Sequence, residues 1–355
     1  MITLLPIKIK RLLCVILASM LSALMGHTTT LAAENPKPDL LFITDFNTEI
    51  GAELGAELNS ALNSGESSEP ILAISATQKT DPLKLALGQK LFHEKRLDKN
   101  KKLACASCHN LRLGGANRQA LSPQSTHHTT HQPPKFNTPS IFNVSLNAYY
   151  YWSGKFSSLE EQLDDALIDI NSTWPYAIKQ LSTIPEYRTA FNQVYPDGIT
   201  TETIKDAIIY FEESLTTPDA PFDQYLRGNA GAISLDEKHG YQLFKTYGCI
   251  TCHQGVNIGG NFLLNRKKQI DKAYYNLHNK PAAGTESELP YIRVPSLRNV
   301  ARTAPYFHDG SARTLDQAVN QMLKQYLGAE VPSDDIRLIV SFLNTLTGEY
   351  KGQSL

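Results

Sequence analysis

The chain has 355 residues, 41% of them hydrophobic and 19% charged. That is enough apolar material for one large or two ordinary domains, and it excludes a mainly disordered, collagen-like or coiled-coil chain. Basic residues (34) and acidic residues (35) nearly cancel, so no basic excess marks nucleic acid as a partner.

Residues 1–33 read as a secretory signal. Lys8, Lys10 and Arg11 precede an apolar run from Leu12 to Met25, and the small residues Ala32 and Ala33 close the segment. The run is short for a membrane span. Cleavage there leaves 31 basic against 35 acidic residues, a net charge of −4. Export places the protein in the periplasm.

Residues 34–80 form an acidic, Ser/Asn-rich extension with a GAEL duplication at 51–58. Ile50, Leu54, Leu58 and Leu62 recur every four residues, which predicts a short helix, and 63–70 reads as a linker. No chemistry is assigned to this stretch.

Helix signals dominate from there on. Asp81-Pro82 opens a helix with Leu83, Ala86, Leu87 and Leu91 on one face. Ser158 with Glu161, Ser234 with Glu237 and Thr314 with Gln317 have capping-box spacing, each ahead of an apolar stripe. Ile204, Ala207, Ile208, Phe211 and Leu215 form another stripe. Ser333, with Asp334 and Asp335 behind it, starts the last helix. No convincing alternating strand is present, and 111–150 and 255–300 read as long loops.

Cysteine spacing carries the chemistry. Apart from Cys14 in the signal, the cysteines fall in two strings, CASCH (Cys105, Cys108, His109) and CITCH (Cys249, Cys252, His253). Two residues between the thiols match the separation of the two haem vinyl groups, and the next residue is an imidazole for the iron. A thioredoxin-like pair would need a βαβ context, and a zinc site leaves the repeated adjacent histidine unexplained. The motifs therefore predict two covalent c-type haems. Their spacing, about one domain length, predicts two similar modules, 81–230 and 231–355, with a boundary near 220–233; together with the helix signals and the haem motifs this reads as an all-α chain of two cytochrome c-like domains.

At these residues the sequence resembles the bacterial di-haem cytochrome c peroxidases, from about Asp81 to Gly348. The likeness rests on ALGQKLFHEKRL at 86–97, CASCHNLRLGG at 105–115, FNTPSIFNVSLN at 136–147, YWSGKFSSLEEQ at 151–162, GCITCHQG at 248–255 and VPSLRNVARTAPYFHDGSARTLDQAVNQM at 294–322. The resemblance implies that the haem on His109 is the peroxidatic one. It implies that the haem on His253, with Met322 as its second axial ligand, receives electrons. A distal histidine is implied on the 116–136 loop, where His128 matches best, with His127 and His131 as alternatives. Trp152 matches a tryptophan between the haems, although the family's W-D-G-R is here Trp152-Ser153-Gly154-Lys155. Asp169 stands near where the family carries a catalytic glutamate, one methylene shorter. A calcium ion is implied at Asn137 and at the backbone carbonyls of Thr303 and Pro305.

The implied reaction is reduction of hydrogen peroxide to water with electrons from a small periplasmic c-type cytochrome or cupredoxin. Homodimers are common in the family, but nothing in this sequence marks one. Two alternatives are a di-haem electron carrier without catalysis and a related di-haem enzyme that oxidises a protein partner. The latter carry Tyr where Met322 stands.

Overall fold

The structure is a computed structural model that describes residues 69–75, 81–122, 136–265, 291–328 and 330–355. The signal, most of the extension and His127, His128 and His131 lie outside the described residues. Residues 69–355 form one compact unit. Among the described residues no helix is long and apolar enough to cross a membrane.

The described chain is mostly helical. Its helices are α1 Pro82–Phe92, the single turn α2 Cys105–Cys108, α3 Leu159–Asp169, α4 Trp174–Ser182, α5 Pro185–Val194, α6 Thr201–Glu213, α7 Pro221–Leu226, α8 Leu235–Thr246, α9 Leu315–Leu327 and α10 Ser333–Asn344. Local chemistry explains where they start. The Asp81 carboxylate accepts from the amides of Leu83 and Lys84, and Pro82 needs no amide partner in the first turn. Ser234 and Glu237 close a reciprocal capping box on α8. At α3 the exchange is altered: Ser158 accepts from the Glu161 amide, while the Glu161 carboxylate takes the amide of Ser157 instead. Helices α4, α5 and α7 lie outside the sequence expectations. They begin with Pro at the first or second position, and two of the three lack a side-chain cap, so the usual signal is weak.

Two short antiparallel pairs accompany the helices: β1 Leu263–Asn265 with β2 Tyr291–Arg293, and β3 Glu349–Tyr350 with β4 Gln353–Ser354. Strands of two or three residues are too short to show a period in sequence.

Two apolar clusters form the core. The first gathers Phe92, Tyr187, Phe191, Phe211 and their neighbours from α1 and α3–α6. The second gathers Phe222, Tyr241, Phe244 and Phe342 from α7, α8 and α10. The stretch that reads as a boundary in sequence therefore contributes a fully buried phenylalanine, Phe222, packed edge-on to Tyr241 at 4.7 Å.

The two clusters are built alike. Helix α1 meets α6 so closely at Gly88 that a Cβ would lie 1.9 Å from the Ala207 carbonyl oxygen; α8 meets α10 at Gly240 with the same 1.9 Å to that of Leu338. Residues 139–162 also realign on 295–318 without a gap, Pro139 matching Pro295 and Leu159 matching Leu315. The backbone repeats with the residues. Asn143 and Asn299 both have φ of 59°, Tyr151 and Phe307 have φ of 66° and 69°, and Gly154 and Gly310 have 66° and 65°. Tyr150 bridges Phe156 as Tyr306 bridges Ala312. The side-chain amides of Asn143 and Asn299 both donate to the Thr217 hydroxyl, at 2.7 and 2.9 Å, which ties the copies together at one atom.

Residues 69–75, read in sequence as the end of a linker and extension, are built into the second cluster. Ile71 is buried there, and the Gly255 amide donates to the Pro70 carbonyl at 2.8 Å. The Arg298 guanidinium donates to the Leu72 carbonyl and pairs with Asp223 at 2.7 Å, both side chains being buried.

Candidate haem-binding site

Each C-x-x-C-H string is held in a tight turn. The first occupies α2, where the Ser107 hydroxyl accepts the Ala104 amide and the His109 amide donates to the Cys105 carbonyl. The second is a 3-10 turn, Cys249–Thr251, entered through Gly248 in the left-handed region and closed by the His253 amide on the Cys249 carbonyl. One turn brings both thiols and the imidazole to one place. All four cysteines are unbridged and half-buried. Burial pushes the Cys105 thiol up to about 12 and the Cys108 and Cys249 thiols up to about 11, so they stay protonated rather than acting as free nucleophiles.

The histidines show what these turns are for. His109 Nδ1 lies 3.3 Å from the Gly115 carbonyl, and His253 Nδ1 lies 3.3 Å from the Ile258 carbonyl. Pro139 and Pro295, the paired residues of the repeat, supply a second backbone acceptor in each case. A ring nitrogen facing carbonyls is the protonated one, so each Nε2 keeps its lone pair for a metal. Burial lowers both imidazoles, His253 to about 4, and keeps them neutral as a ligand must be. Among the described residues no cluster of three or more His, Cys, Asp or Glu could hold a bare metal ion. The donor set thus fits iron already held in a porphyrin.

Met322 lies half-buried on α9, one turn beyond the buried Val319 and so on its face. The repeat places Ala166 of α3 at the matching position. One copy therefore carries a thioether where the other carries a methyl group. Asp169 follows Ala166 by three residues, on the same face of α3. Its carboxylate accepts from the Tyr151 phenol at 2.8 Å and acts electrostatically on the Cys108 thiol.

Trp152 is buried, and its Nε1 donates to the Asn137 carbonyl at 2.8 Å. Its ring meets that of His308 near-perpendicularly at 6.3 Å. Asn137 in turn donates its amide to the His308 carbonyl at 2.7 Å and its side-chain amide to Gln119, which holds it against the loop that carries Thr303 and Pro305. Next to it the buried Thr138 hydroxyl has no partner. An amide oxygen, main-chain carbonyls and an orphaned hydroxyl suit a hard, partly hydrated cation.

Three residues of this region escaped sequence reasoning: Tyr151, Arg293 and His308. Arg293 is buried, donates Nε to the Tyr151 carbonyl at 3.0 Å and its amide to that of Trp152, and has no carboxylate partner among the described residues. Burial brings its guanidinium down to about 10. A buried cation of this kind fits an anionic ligand. Aligning the two copies would have exposed Tyr151 and His308, which stand opposite Phe307 and Trp152; nothing in the sequence marks Arg293.

A half-buried, neutral, pre-oriented imidazole beside each cysteine pair, in a duplicated helical frame, is an arrangement that fits one haem at each pair. The sequence model of the di-haem cytochrome c peroxidases matches residues 82–231. The chain is 38% identical to cytochrome c551 peroxidase of Nitrosomonas europaea over 80% of its own length and 85% of that protein's. It is also 38% identical to the cytochrome c peroxidase Ccp of Escherichia coli, over 80% of this chain but 62% of that longer protein. Methylamine utilization protein MauG of Methylorubrum extorquens is more distant, at 27% over 76% of this chain and 79% of that protein. A MauG-like protein associated with microbial copper homeostasis shares the fold, with a TM-score of 0.61 at 24% identity over 80% of this chain and 94% of that one. The chain belongs to the di-haem cytochrome c peroxidase family, and it is an oxidoreductase of the peroxidase type.

Proposed function

We propose that the protein reduces hydrogen peroxide to water in the periplasm, drawing electrons from a small c-type cytochrome or cupredoxin. Cys105 and Cys108 would hold one haem by thioether bonds with His109 on its iron; Cys249 and Cys252 would hold the other with His253 and Met322. When bound, haem supplies iron that binds peroxide and stores and passes single electrons. The division into 81–230 and 231–355 follows from this reading, each part holding one motif and most of one core cluster.

The asymmetry between the two copies carries the proposal. Met322 favours a closed, high-potential site, whereas Ala166 offers no ligand and Asp169 follows it on the same face. Asp169 would take the proton from the oxygen nearest the metal and return it to the departing oxygen. Trp152 and His308, whose rings meet at 6.3 Å, would couple the two modules. Arg293 would pair with a haem propionate, and Asn137 with the carbonyls of Thr303 and Pro305 would hold calcium. His128, or His127 or His131, would cover the first iron until electrons reach the second.

The test is spectroscopy of the half-reduced protein with peroxide consumption measured alongside. A first haem that becomes five-coordinate, reacts with peroxide and is returned by a reduced cytochrome c or cupredoxin supports the reading. Two haems that stay six-coordinate at every redox level would make the protein an electron carrier instead. Replacing Asp169 by Asn is expected to slow peroxide reduction by ~10²–10⁴-fold.

A further inference from the structure

Among the differences between the two copies of the repeat, one group falls together around α3 and α9. In the second copy the left-handed residue before His308 is Phe307, and α9 carries Met322 and Gln325. In the first copy the matching residues are Tyr151, Ala166 and Asp169. The metal-binding thioether is gone, and a phenol and a carboxylate stand together instead, joined at 2.8 Å.

Tyr151 is held firmly for this contact. Its φ of 66° is costly for a bulky side chain. Its carbonyl accepts from Arg293 Nε at 3.0 Å and from the Gly154 amide at 3.2 Å, and its ring packs edge-on to Phe156 at 5.5 Å. Burial, with the charges of Asp169 and Asp165, holds the phenol protonated, so it acts as a donor across the working pH range. Asp169 is exposed at the end of α3, with the Tyr151 hydroxyl donating to its carboxylate.

We propose that Tyr151 is the positioning residue for Asp169, its hydroxyl fixing the orientation of the proton-carrying carboxylate. This rests on the reading of Asp169 as the group that moves the peroxide proton. The phenol itself keeps its proton throughout.

The test is a double-mutant cycle on the di-haem protein with Tyr151→Phe, Asp169→Asn and both. Phe307 shows that phenylalanine adopts this backbone conformation in the same frame, so Tyr151→Phe keeps the fold. It is expected to slow the reaction with peroxide about tenfold, the size of one charge-assisted hydrogen bond. It is also expected to move the acid limb of the rate profile to higher pH, because the carboxylate loses a donor that favours its charged form. Added to Asp169→Asn it should change nothing further. A third readout needs no turnover: in Asp169→Asn one tyrosine should ionise at lower pH, and that tyrosine should vanish from the titration of the double variant. Equal slowing by Tyr151→Phe in both backgrounds, or an unmoved acid limb, would overturn the positioning role and leave Asp169 standing. A wild-type rate in Asp169→Asn would overturn the reading of Asp169, and this inference with it.

Discussion

Trp152 and His308 occupy the same position in two copies of one repeat, and their rings meet at 6.3 Å with an interplanar angle of 66°. A duplicated frame thus brings its paired residues into edge-on ring contact. Asn137 clasps the pair, accepting from the indole and donating to the His308 carbonyl. Trp152→Phe is expected to leave the buried Asn137 carbonyl without the indole donor and to destabilise the protein by ~1–3 kcal/mol. Electron transfer between the haems should slow as well. Denaturant unfolding checks the first effect and stopped-flow of the half-reduced protein the second.

Met322→Leu keeps nearly the same volume on α9, so the fold should lose less than ~1.5 kcal/mol. The second haem is expected to lose its sulfur-to-iron absorption and its potential should fall. The reciprocal change, Ala166→Met, should give the first haem a sulfur ligand and suppress its reaction with peroxide. Absorption spectra of the two variants against wild type check both.

Gly88 and Gly240 each leave no room for a side chain, since a Cβ would sit 1.9 Å from a backbone carbonyl of the facing helix. Alanine at either position is expected to push its helix pair apart and destabilise by ~1–3 kcal/mol or more. Gly88→Ala should loosen mainly the first cluster and Gly240→Ala mainly the second. Hydrogen exchange resolved along the chain separates the two.

Glu212 is buried on α6 with one carboxylate oxygen unpartnered, and burial followed by the charge of Glu213 pushes it up to about 8. A carboxyl raised on folding contributes its full stability below the ordinary value of 4.5 and loses it as pH rises through 8. Wild-type stability should therefore fall across that window by on the order of 1.4 kcal/mol per pH unit from this group. Glu212→Gln should flatten the decline, as read from melting temperature against pH.

The ion pair of Arg298 with Asp223 is almost entirely buried, at 1% and 0% side-chain exposure. It anchors residues 69–75 through the Leu72 carbonyl and through the Ile74 amide, which donates to Asp223. Removing only the cation, as in Arg298→Met, leaves a buried carboxylate uncompensated and is expected to cost ~3–5 kcal/mol. Residues 69–75 should then become open to proteolysis, which a timed digest reads directly.

The two C-x-x-C-H turns were legible in the sequence because the chemistry they point to is a local requirement. Two thiols and an imidazole must fall within one turn, and five consecutive residues state that at Cys105–His109 and again at Cys249–His253. The capped helices were legible for the same reason, since Asp81 and Ser234 act on amides two or three residues away. Sequence alone thus determined the helical class, the two C-x-x-C-H turns and the family resemblance. Tertiary structure decided what lies between them: which carbonyls pin His109 and His253, that the Tyr151 phenol donates to Asp169, that buried Arg293 donates to the Tyr151 and Trp152 carbonyls, and that residues 69–75 belong to the second core. Those contacts join residues far apart in the chain. They depend on how the helices pack at Gly88 and Gly240, where distance in space is set by excluded volume and not by spacing along the backbone.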